Sequence, residues 1–347
     1  MKHKPIQQAL QPHFQIDKRR LDFIARYITA LLQVCTVNLN ILGAALSSKQ
    51  IESNARRIKR FLTFDLPQIA IAQLVLSFVT DEKIVLTMDR TNWKLGQFNI
   101  NFLVIGIAYN GIALPIAWVN LDKPGNSNTS ERKRILEQII NFIPASRVSG
   151  FAADREFIGE AWFQSLLEHG LNPVIRIKRD TLIQHRGKTE PAWVFFNALK
   201  HNEISELSKA KVMGIRVFVI GTLTPEGELL LLVTIRRPSR ALIIYARRWE
   251  IETLFGAFKT RGFNLEDTHI TDVKRSERLF ALLVITLVWA VRVGEFVVSL
   301  RPSEIKKHGY AQWSVFRRGL DCLRQILFTG SSNGFVLDDV VGLLSSS

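Results

Sequence analysis

The sequence contains little cysteine and no long apolar run. Its two cysteines, Cys35 and Cys322, form neither a CxxC pair nor a zinc-binding cluster. We therefore expect reduced core cysteines, as in a cytoplasmic protein. The longest apolar run, Leu279 to Val291, is shorter than the roughly 20 residues that a membrane span requires. This run predicts a buried core helix and no membrane partner. The N-terminus shows no apolar stretch typical of a signal peptide.

Acidic residues are fewer than basic ones. Asp and Glu total 31 against 46 for Lys and Arg, which gives a formal charge of +15. Such an excess favours a polyanionic partner, either nucleic acid or an anionic membrane surface. Charge alone leaves an ordinary basic protein equally open. The 47% hydrophobic content indicates a folded protein, and the length suggests two or three compact units.

Residues 1–80 have the apolar spacing of successive short helices. Ser47 and Ser48 offer a cap for a helix over residues 51–62. This helix has one apolar face, and four basic side chains occupy much of the rest: Arg56, Arg57, Lys59 and Arg60. Short helices ending in a basic one resemble a helix-turn-helix reader, so we predict a DNA-binding domain. The alternative is the solvated face of a plain helical bundle.

From about residue 83 the pattern changes to alternating strands and helices. Asp89 and Asp154 each follow an apolar segment that we predict to be a strand. Asn110-Gly111 is a hairpin turn signal. This order predicts an α/β fold whose first three strands are antiparallel and whose later strands are parallel. The predicted strands cover residues 84–88, 101–109, 112–119, 148–153 and 173–177, and the predicted helices cover 130–142 and 157–168.

A β-rich insertion is predicted at 179–237, and the chain then returns to helix. The predicted strands of the insertion cover residues 193–196, 215–220 and 229–235. One helix should run from Ser239 to about Thr260, and a second should cover 274–296. We predict a core of residues 81–178 and 238–300, followed by a C-terminal helical segment at 301–347.

The helix after the insertion holds four polar side chains on one narrow face: Tyr245, Arg248, Glu252 and Lys259. At about 100° per residue they span roughly 60°, and Trp249 lies beside them. Such a stripe suits a surface that binds phosphate around one carboxylate, with Arg as a fork and Lys as a point charge. The alternative is a solvated face with an Arg248–Glu252 ion pair.

Three acids can complete a metal site. Asp89 and Asp154 are predicted at the carboxyl ends of strands, where ligands of open α/β sheets bind. With Glu252 they supply oxygen ligands suited to Mg²⁺. Two such ions about 4 Å apart can activate a water or a 3′-hydroxyl and stabilise the leaving oxygen.

The spacing Tyr245-x2-Arg248-x3-Glu252-x6-Lys259 resembles the Tyr-Arg-Glu-Lys signature of bacterial insertion-sequence transposases. These are cut-and-paste DDE enzymes with a core similar to RNase H. Thr87 to Trp93 resembles the family's first-aspartate strand, and Ala153 to Phe157 resembles its second. Lys259 to Glu266 resembles the stretch after the family's glutamate. The resemblance covers about residues 80–295.

The resemblance implies a five-stranded mixed sheet flanked by helices. It implies that Asp89, Asp154 and Glu252 bind two Mg²⁺ ions, for which Mn²⁺ can substitute. Tyr245, Arg248 and Lys259 would hold the terminal phosphates of the transposon end. Further DNA contacts are implied for two aromatic residues: Trp249, and Trp193 as the residue that stacks on a flipped base. Trp193 as a plain core residue remains an open alternative.

The expected protein is a transposase that binds terminal inverted repeats, cuts DNA at the ends and joins the 3′-hydroxyl ends to target DNA. The resemblance also implies a dimer on double-stranded DNA, in the cytoplasm of a bacterium and associated with the nucleoid. Two alternatives remain. One is a metal-dependent nuclease without strand transfer. The other is a catalytically silent or domesticated copy that binds DNA without cutting it.

Overall fold

The computed structural model describes residues 2–47, 50–307, 309 and 311–345. Five helices open the chain: α1 (His3–Leu10), α2 (Lys18–Val34), α3 (Leu39–Leu46), α4 (Ile51–Phe61) and α5 (Gln68–Phe78). The Asp17 carboxylate caps α2 by accepting hydrogen bonds from two backbone N–H groups. Gln50 stands at the N-cap of α4 and makes no side-chain cap there. Ser47 ends α3 instead, and Ser48 lies outside the described residues.

The central sheet begins with a meander followed by two strand crossovers. Its elements are β1 (Ile84–Leu95), β2 (Phe98–Tyr109), β3 (Ile112–Asn120), α6 (Thr129–Ile140), β4 (Val148–Ala153), α7 (Glu160–Glu168) and β5 (Pro173–Arg176). Strands β1, β2 and β3 are antiparallel, whereas β4 is parallel to β1 and β5 to β4. The predicted strand directions are therefore confirmed. Asn110 and Gly111 have positive φ, as the tight hairpin turn between β2 and β3 requires.

The insertion extends this sheet. It contains β6 (Leu182–His185), β7 (Lys188–Pro191), α8 (Ala192–Phe195), β8 (Ile204–Val212), β9 (Ile215–Leu223) and β10 (Leu229–Thr234). Within the described residues one sheet has ten strands in the order β3-β2-β1-β4-β5-β10-β9-β8-β6-β7. The predicted five-stranded sheet is thus wrong in extent, because β10 pairs with the free edge of β5. The strand predicted at 193–196 is also wrong, since this segment forms α8.

The last part of the chain is mainly helical. Its elements are α9 (Ala241–Ala246), α10 (Trp249–Phe258), α11 (Val273–Leu300), α12 (Val315–Thr329), β11 (Ser331–Ser332), β12 (Phe335–Val336) and α13 (Leu337–Ser345). The single helix predicted from Ser239 to Thr260 is wrong, because α9 ends before Arg247 and α10 begins at Trp249. The domain boundaries drawn from the sequence stay predictions.

Helix α11 forms the centre of the core. By length and composition it could cross a membrane, but 78% of its most apolar window is buried inside the protein. Phe280 packs against Phe102 and Phe258 with ring centroids 4.7 and 4.8 Å apart. The predicted buried helix is therefore confirmed. Cys322 is buried and Cys35 half-buried, and both are free thiols.

Helices α11 and α12 cross at two glycines. A Cβ at Gly319 would lie 1.7 Å from the Ala290 carbonyl oxygen, and one at Gly294 would lie 1.9 Å from that of Val315. Because real Cβ atoms do not approach so closely, only glycine permits this crossing. The crossing holds α12 against the buried helix beneath the sheet.

Candidate active site

Two of the three candidate acids lie on adjacent strands of the sheet. Strands β1 and β4 are parallel, and Met88 pairs with Ala153, so Asp89 and Asp154 occupy the next position on each. Asp154 directly follows the end of β4, as predicted. Asp89 does not end its strand, because β1 continues to Leu95 in an antiparallel pair with β2. The two carboxylates nevertheless share one edge, where β4 stops and β1 continues.

The third acid comes from the helix pair α9–α10. Ala241, Ile244 and Tyr245 of α9 are buried on the sheet face formed by Val85 and Ala152, among others. This packing brings α9 and then α10 to the edge that carries the two aspartates. Glu252 lies in the first turn of α10. Tyr245 and Glu252 are therefore on different helices. The predicted arrangement, in which the four polar side chains share one face of a continuous helix, is wrong.

The tertiary fold still brings three of the four signature residues, Tyr245, Arg248 and Glu252, to the two aspartates. The Arg248 guanidinium donates to Glu252 at 2.8 Å and lies 3.5 Å from an Asp89 carboxylate oxygen. The Tyr245 hydroxyl donates to Asp154 at 3.4 Å. Arg248 is 4% exposed and stacks over the Trp249 ring at 4.5 Å. Two helices and two strands, distant in the sequence, thus converge on one group of charged side chains.

Burial shapes the electrostatics of the group. It raises the pKa of Asp89 to about 7, against the opposing effects of the Arg90 backbone N–H and the Arg248 guanidinium. Burial also raises the pKa of Tyr245 above its ordinary value. A carboxylate with a raised pKa is under-compensated when ionised, so a nearby cation would stabilise it. Asp89 would therefore gain from a bound cation.

The donor set fits a divalent cation. Asp89, Asp154 and Glu252 offer carboxylate oxygens, the ligands that Mg²⁺ prefers. As they stand, no three His, Cys, Asp or Glu side chains of the described residues are placed to hold one ion. The Arg248 guanidinium instead contacts both Asp89 and Glu252. A cation bound there would take over charge compensation that Arg248 now supplies.

A network beside the site was missed from the sequence. Arg90, next to Asp89, binds both carboxylate oxygens of Glu156, at 2.6 and 2.8 Å. It also donates to the Asn101 and Asn126 side chains at 3.0 and 2.9 Å. The available signal was adjacency: Arg90 and Glu156 lie one and two residues from the candidate aspartates. The loop after β3 is thereby tied to both acid-bearing strands.

Lys259, the fourth signature residue, makes its contacts outside this group of side chains. It ends α10, and its ammonium forms an ion pair with Glu266 at 2.7 Å. The same nitrogen donates to the Asn92 carbonyl at 3.3 Å and lies 5.5 Å from the centre of the Trp93 ring. Lys259 is therefore anchored to β1, the strand of Asp89.

Two tryptophans have exposed rings near basic side chains. Trp249 is 58% exposed at the start of α10. Trp193 is 41% exposed on α8, so it is not the plain core residue of the alternative interpretation. It lines a cavity of about 630 Å³ together with Arg155, Arg176, Lys178 and Arg179, among others. Because Arg155 follows Asp154 in the chain, this cavity opens close to the acids.

The four basic residues of α4 are all exposed but differ in surroundings. Arg56 pairs with Glu52 at 3.2 Å. Arg57 lies over the Phe23 ring, 4.9 Å from its centre. Arg57 and Arg60 line a groove with the start of α2, and Lys59 does not. The four residues therefore do not form one uniform surface.

Comparison with known families agrees with this geometry. No curated protein matches the sequence significantly. The model of the family described as "Transposase DDE domain" matches residues 79–289. This span contains both aspartates, the insertion, the helix pair α9–α10 and the first part of α11. The chain belongs to the transposase DDE domain family.

Proposed function

We propose that this chain is a cut-and-paste transposase of the bacterial Tyr-Arg-Glu-Lys branch, with Asp89, Asp154 and Glu252 as its catalytic acids. It would bind the terminal inverted repeats of its element, cleave DNA at the ends and join the 3′-hydroxyl ends to target DNA. One observation carries the proposal. Three acids separated by 65 and 98 positions in the chain meet around Arg248 and Tyr245.

Asp89, Asp154 and Glu252 would hold two Mg²⁺ ions, or Mn²⁺ in their place. Such ions activate the attacking oxygen and stabilise the leaving one in phosphodiester cleavage. Their binding requires ionised carboxylates, so Asp89 must release the proton that its buried position favours. Arg248 would at the same time lose its two acidic partners.

The released Arg248 fork is suited to a DNA phosphate, which it can bind bidentately. Lys259 can exchange its exposed partner Glu266 for a phosphate at small cost, since exposed ion pairs are weak. Tyr245 would orient Asp154 through its hydroxyl. With the scissile phosphate held this way, water attacks phosphorus and the strand's 3′-oxygen leaves and takes up a proton. The new 3′-hydroxyl then attacks a target phosphodiester, and a second 3′-oxygen leaves.

Two aromatic side chains would contact DNA near the cut. Trp249 presents its ring beside the Arg248 fork and can pack against a sugar or base. Trp193 borders a basic cavity next to Asp154 and can stack on an unpaired base if the flanking DNA leaves through a hairpin. Stacking of this kind tolerates any base sequence.

The partner would be double-stranded DNA, both as transposon ends and as target. We propose that the chain acts as a dimer on paired ends, in the bacterial cytoplasm and in association with the nucleoid. The formal charge of +15 supports a polyanionic partner.

The test uses the full chain, MgCl₂ and a duplex that carries the inverted repeat flanking its gene. We expect nicking of the wild-type duplex and joining of the cut ends to a plasmid. Asp89→Asn, Asp154→Asn and Glu252→Gln should abolish both steps while duplex binding persists. Glu168→Gln, an exposed acid at the end of α7, is the matched control and should cut normally.

The outcomes separate the alternatives. Cutting without joined products would identify a nuclease without strand transfer. Binding without metal-dependent nicking would identify a silent DNA-binding copy. Normal cutting by any one of the three acid variants would reject the site assignment.

A further inference from the structure

The N-terminal helices enclose a groove of about 730 Å³ between the start of α2 and the end of α4. Four arginines line it: Arg19, Arg20, Arg57 and Arg60. We call it the arginine groove. Arg19 and Arg20 lie in the first turn of α2, whose N-terminus is capped by Asp17. Arg57 and Arg60 extend from the last turns of α4.

The floor of the groove is aromatic. Phe23, Phe61 and Phe64 line it, and the Phe23 and Phe61 rings lie 4.5 Å apart. The Arg20 guanidinium stands over Phe64 at 3.8 Å, and that of Arg57 stands over Phe23 at 4.9 Å. Such contacts hold guanidinium groups in place while leaving their N–H edges free to donate.

Acidic compensation in the groove is small. Asp17 pairs with Arg20 at 3.0 Å, and Asp65 at the rim pairs with Arg278. Among the described residues, Arg19, Arg57 and Arg60 form no ion pair with an acid. Three arginines of fixed charge therefore face one concave surface without a counterion from the protein.

We propose that the arginine groove binds the sugar–phosphate backbone of duplex DNA. The inference rests on the proposed function and refines it. DNA contact in the N-terminal region is assigned to a two-helix phosphate clamp that includes Arg19 and Arg20. It is not assigned to the whole basic face of α4. Arg56 and Lys59 are excluded because neither side chain lines the groove.

The chemistry selects phosphate over base edges. Arginine forks bind phosphate oxygens bidentately. The rest of the lining is mostly phenylalanine, with Thr63 and Asp65 as the other polar side chains, so beyond the arginine forks the groove offers few acceptors and donors with which to distinguish base pairs. Contacts to phosphate position a protein on DNA without reading its sequence. The clamp should therefore contribute equally to the affinity for a terminal-repeat duplex and for an unrelated duplex.

The experiment measures binding of the full chain in EDTA to two labelled duplexes of equal length, one with the terminal repeat and one scrambled. Dissociation constants are taken from 50 to 300 mM NaCl. The test variants are Arg57→Met with Arg60→Met, and Arg19→Met with Arg20→Met. Methionine keeps an apolar stem over the phenylalanines and removes the charge. Arg56→Met, on the same helix, is the control.

Each double variant should make the slope of log affinity against log salt less negative by about 2, since each lost phosphate contact removes about 0.9 from its magnitude. The loss should be the same for both duplexes, and Arg56→Met should leave the slope unchanged. Thermal melting checks that each variant is folded. If methionine at either pair lowers the melting temperature, Arg→Gln at the same positions repeats the measurement.

Three results would overturn the inference. Folded double variants that keep the wild-type slope would show that the groove does not contact phosphate. A loss confined to the terminal-repeat duplex would show base reading instead. An equal loss in Arg56→Met would show a diffuse charge effect. These results leave the proposed function standing, whereas a wild-type chain that binds neither duplex would overturn both.

Discussion

The guanidinium of Arg90 donates hydrogen bonds to both carboxylate oxygens of Glu156, at 2.6 and 2.8 Å. Arg90 follows Asp89 on β1, and Glu156 stands two residues after Asp154. The pair therefore ties together the two strand segments that present the aspartates. The hydrogen bonds of Arg90 to the Gly125 carbonyl and the Asn126 side chain also hold the loop between β3 and α6 against the site.

Replacing Glu156 with Gln should weaken this tie. The substitution leaves the mostly buried Arg90 without its charged partner, and we expect a loss of about 2–3 kcal/mol in the free energy of unfolding. Urea denaturation measures it. The control is Glu52→Gln, which breaks the exposed pair with Arg56 and should cost less than about 0.5 kcal/mol. Equal losses in both variants would mean that the Arg90 network contributes no more than a surface pair.

Asp89 should make stability depend on pH. Its pKa is about 7 in the folded protein and near 3.8 in the unfolded chain. Between these values the folded protein holds a proton that the unfolded chain has released. The free energy of unfolding should therefore fall as the pH rises from about 4 to about 7.

The variant Asp89→Asn removes this titration. Its stability relative to the wild type should grow through the same window and level off above it, at no more than about 4 kcal/mol. Denaturation series at several pH values measure the difference. Glu168→Gln should give a curve parallel to the wild type. An Asp89→Asn curve that is also parallel would show that Asp89 titrates normally.

Metal addition should stabilise the folded chain through the same acids. At a Mg²⁺ concentration of about 100 times the dissociation constant, the free energy of unfolding should rise by about 2.7 kcal/mol. Thermal melting with MgCl₂ against NaCl of equal ionic strength measures this effect, and EDTA should reverse it. Asp154→Asn should lose the rise. If MgCl₂ does not change the melting temperature of the wild type, these residues do not form a metal site.

The crossing of α11 and α12 should not tolerate a methyl group. Gly319→Ala places Cβ against the Ala290 carbonyl, and we expect a loss of about 1–3 kcal/mol or more from overpacking. Gly342→Ala on α13 meets no atom within 4 Å and should be neutral or stabilising by up to about 1 kcal/mol. Urea denaturation of both variants measures the difference in the free energy of unfolding. A Gly319→Ala protein as stable as Gly342→Ala would show that the helices can separate at no cost.

The core of the sheet could be predicted because its strands are apolar and short connections join them. Both faces of β2 and β3 are buried, and a run of this kind is visible without the fold. The extension of β1 beyond Asp89 was not visible. Its outer half is polar and partly exposed, and its pairing depends on the tight turn at Gly96, where φ is +59°.

The break between α9 and α10 could not be predicted from residue preferences. Neither proline nor glycine marks it, and Arg248 keeps a helical backbone with φ −56° and ψ −34°. The change is in hydrogen bonding: the N–H groups of Arg248, Glu250 and Ile251 bond to carbonyls three residues back. Because α9 packs on the sheet face, we attribute the break to tertiary packing.

The insertion showed a weak signal for a physical reason. Strand β8 has few buried positions, so its apolar period is faint. The apolar segment Ala192–Phe195 follows Pro191 and forms one helical turn, although its composition favours a strand. The candidate acids, in contrast, were found because their spacing matches a known pattern.

The pairing of β10 with β5 has a consequence for engineering. The chain leaves β10 and within a few residues enters the helices that carry Tyr245 and Glu252, so this strand sets their starting point. A shortened protein that closes the gap between β5 and α9 with a flexible linker would lose that anchor. The insertion therefore cannot be removed as a whole. Shortened forms of the protein should retain β10 even if the outer hairpins of the insertion are deleted.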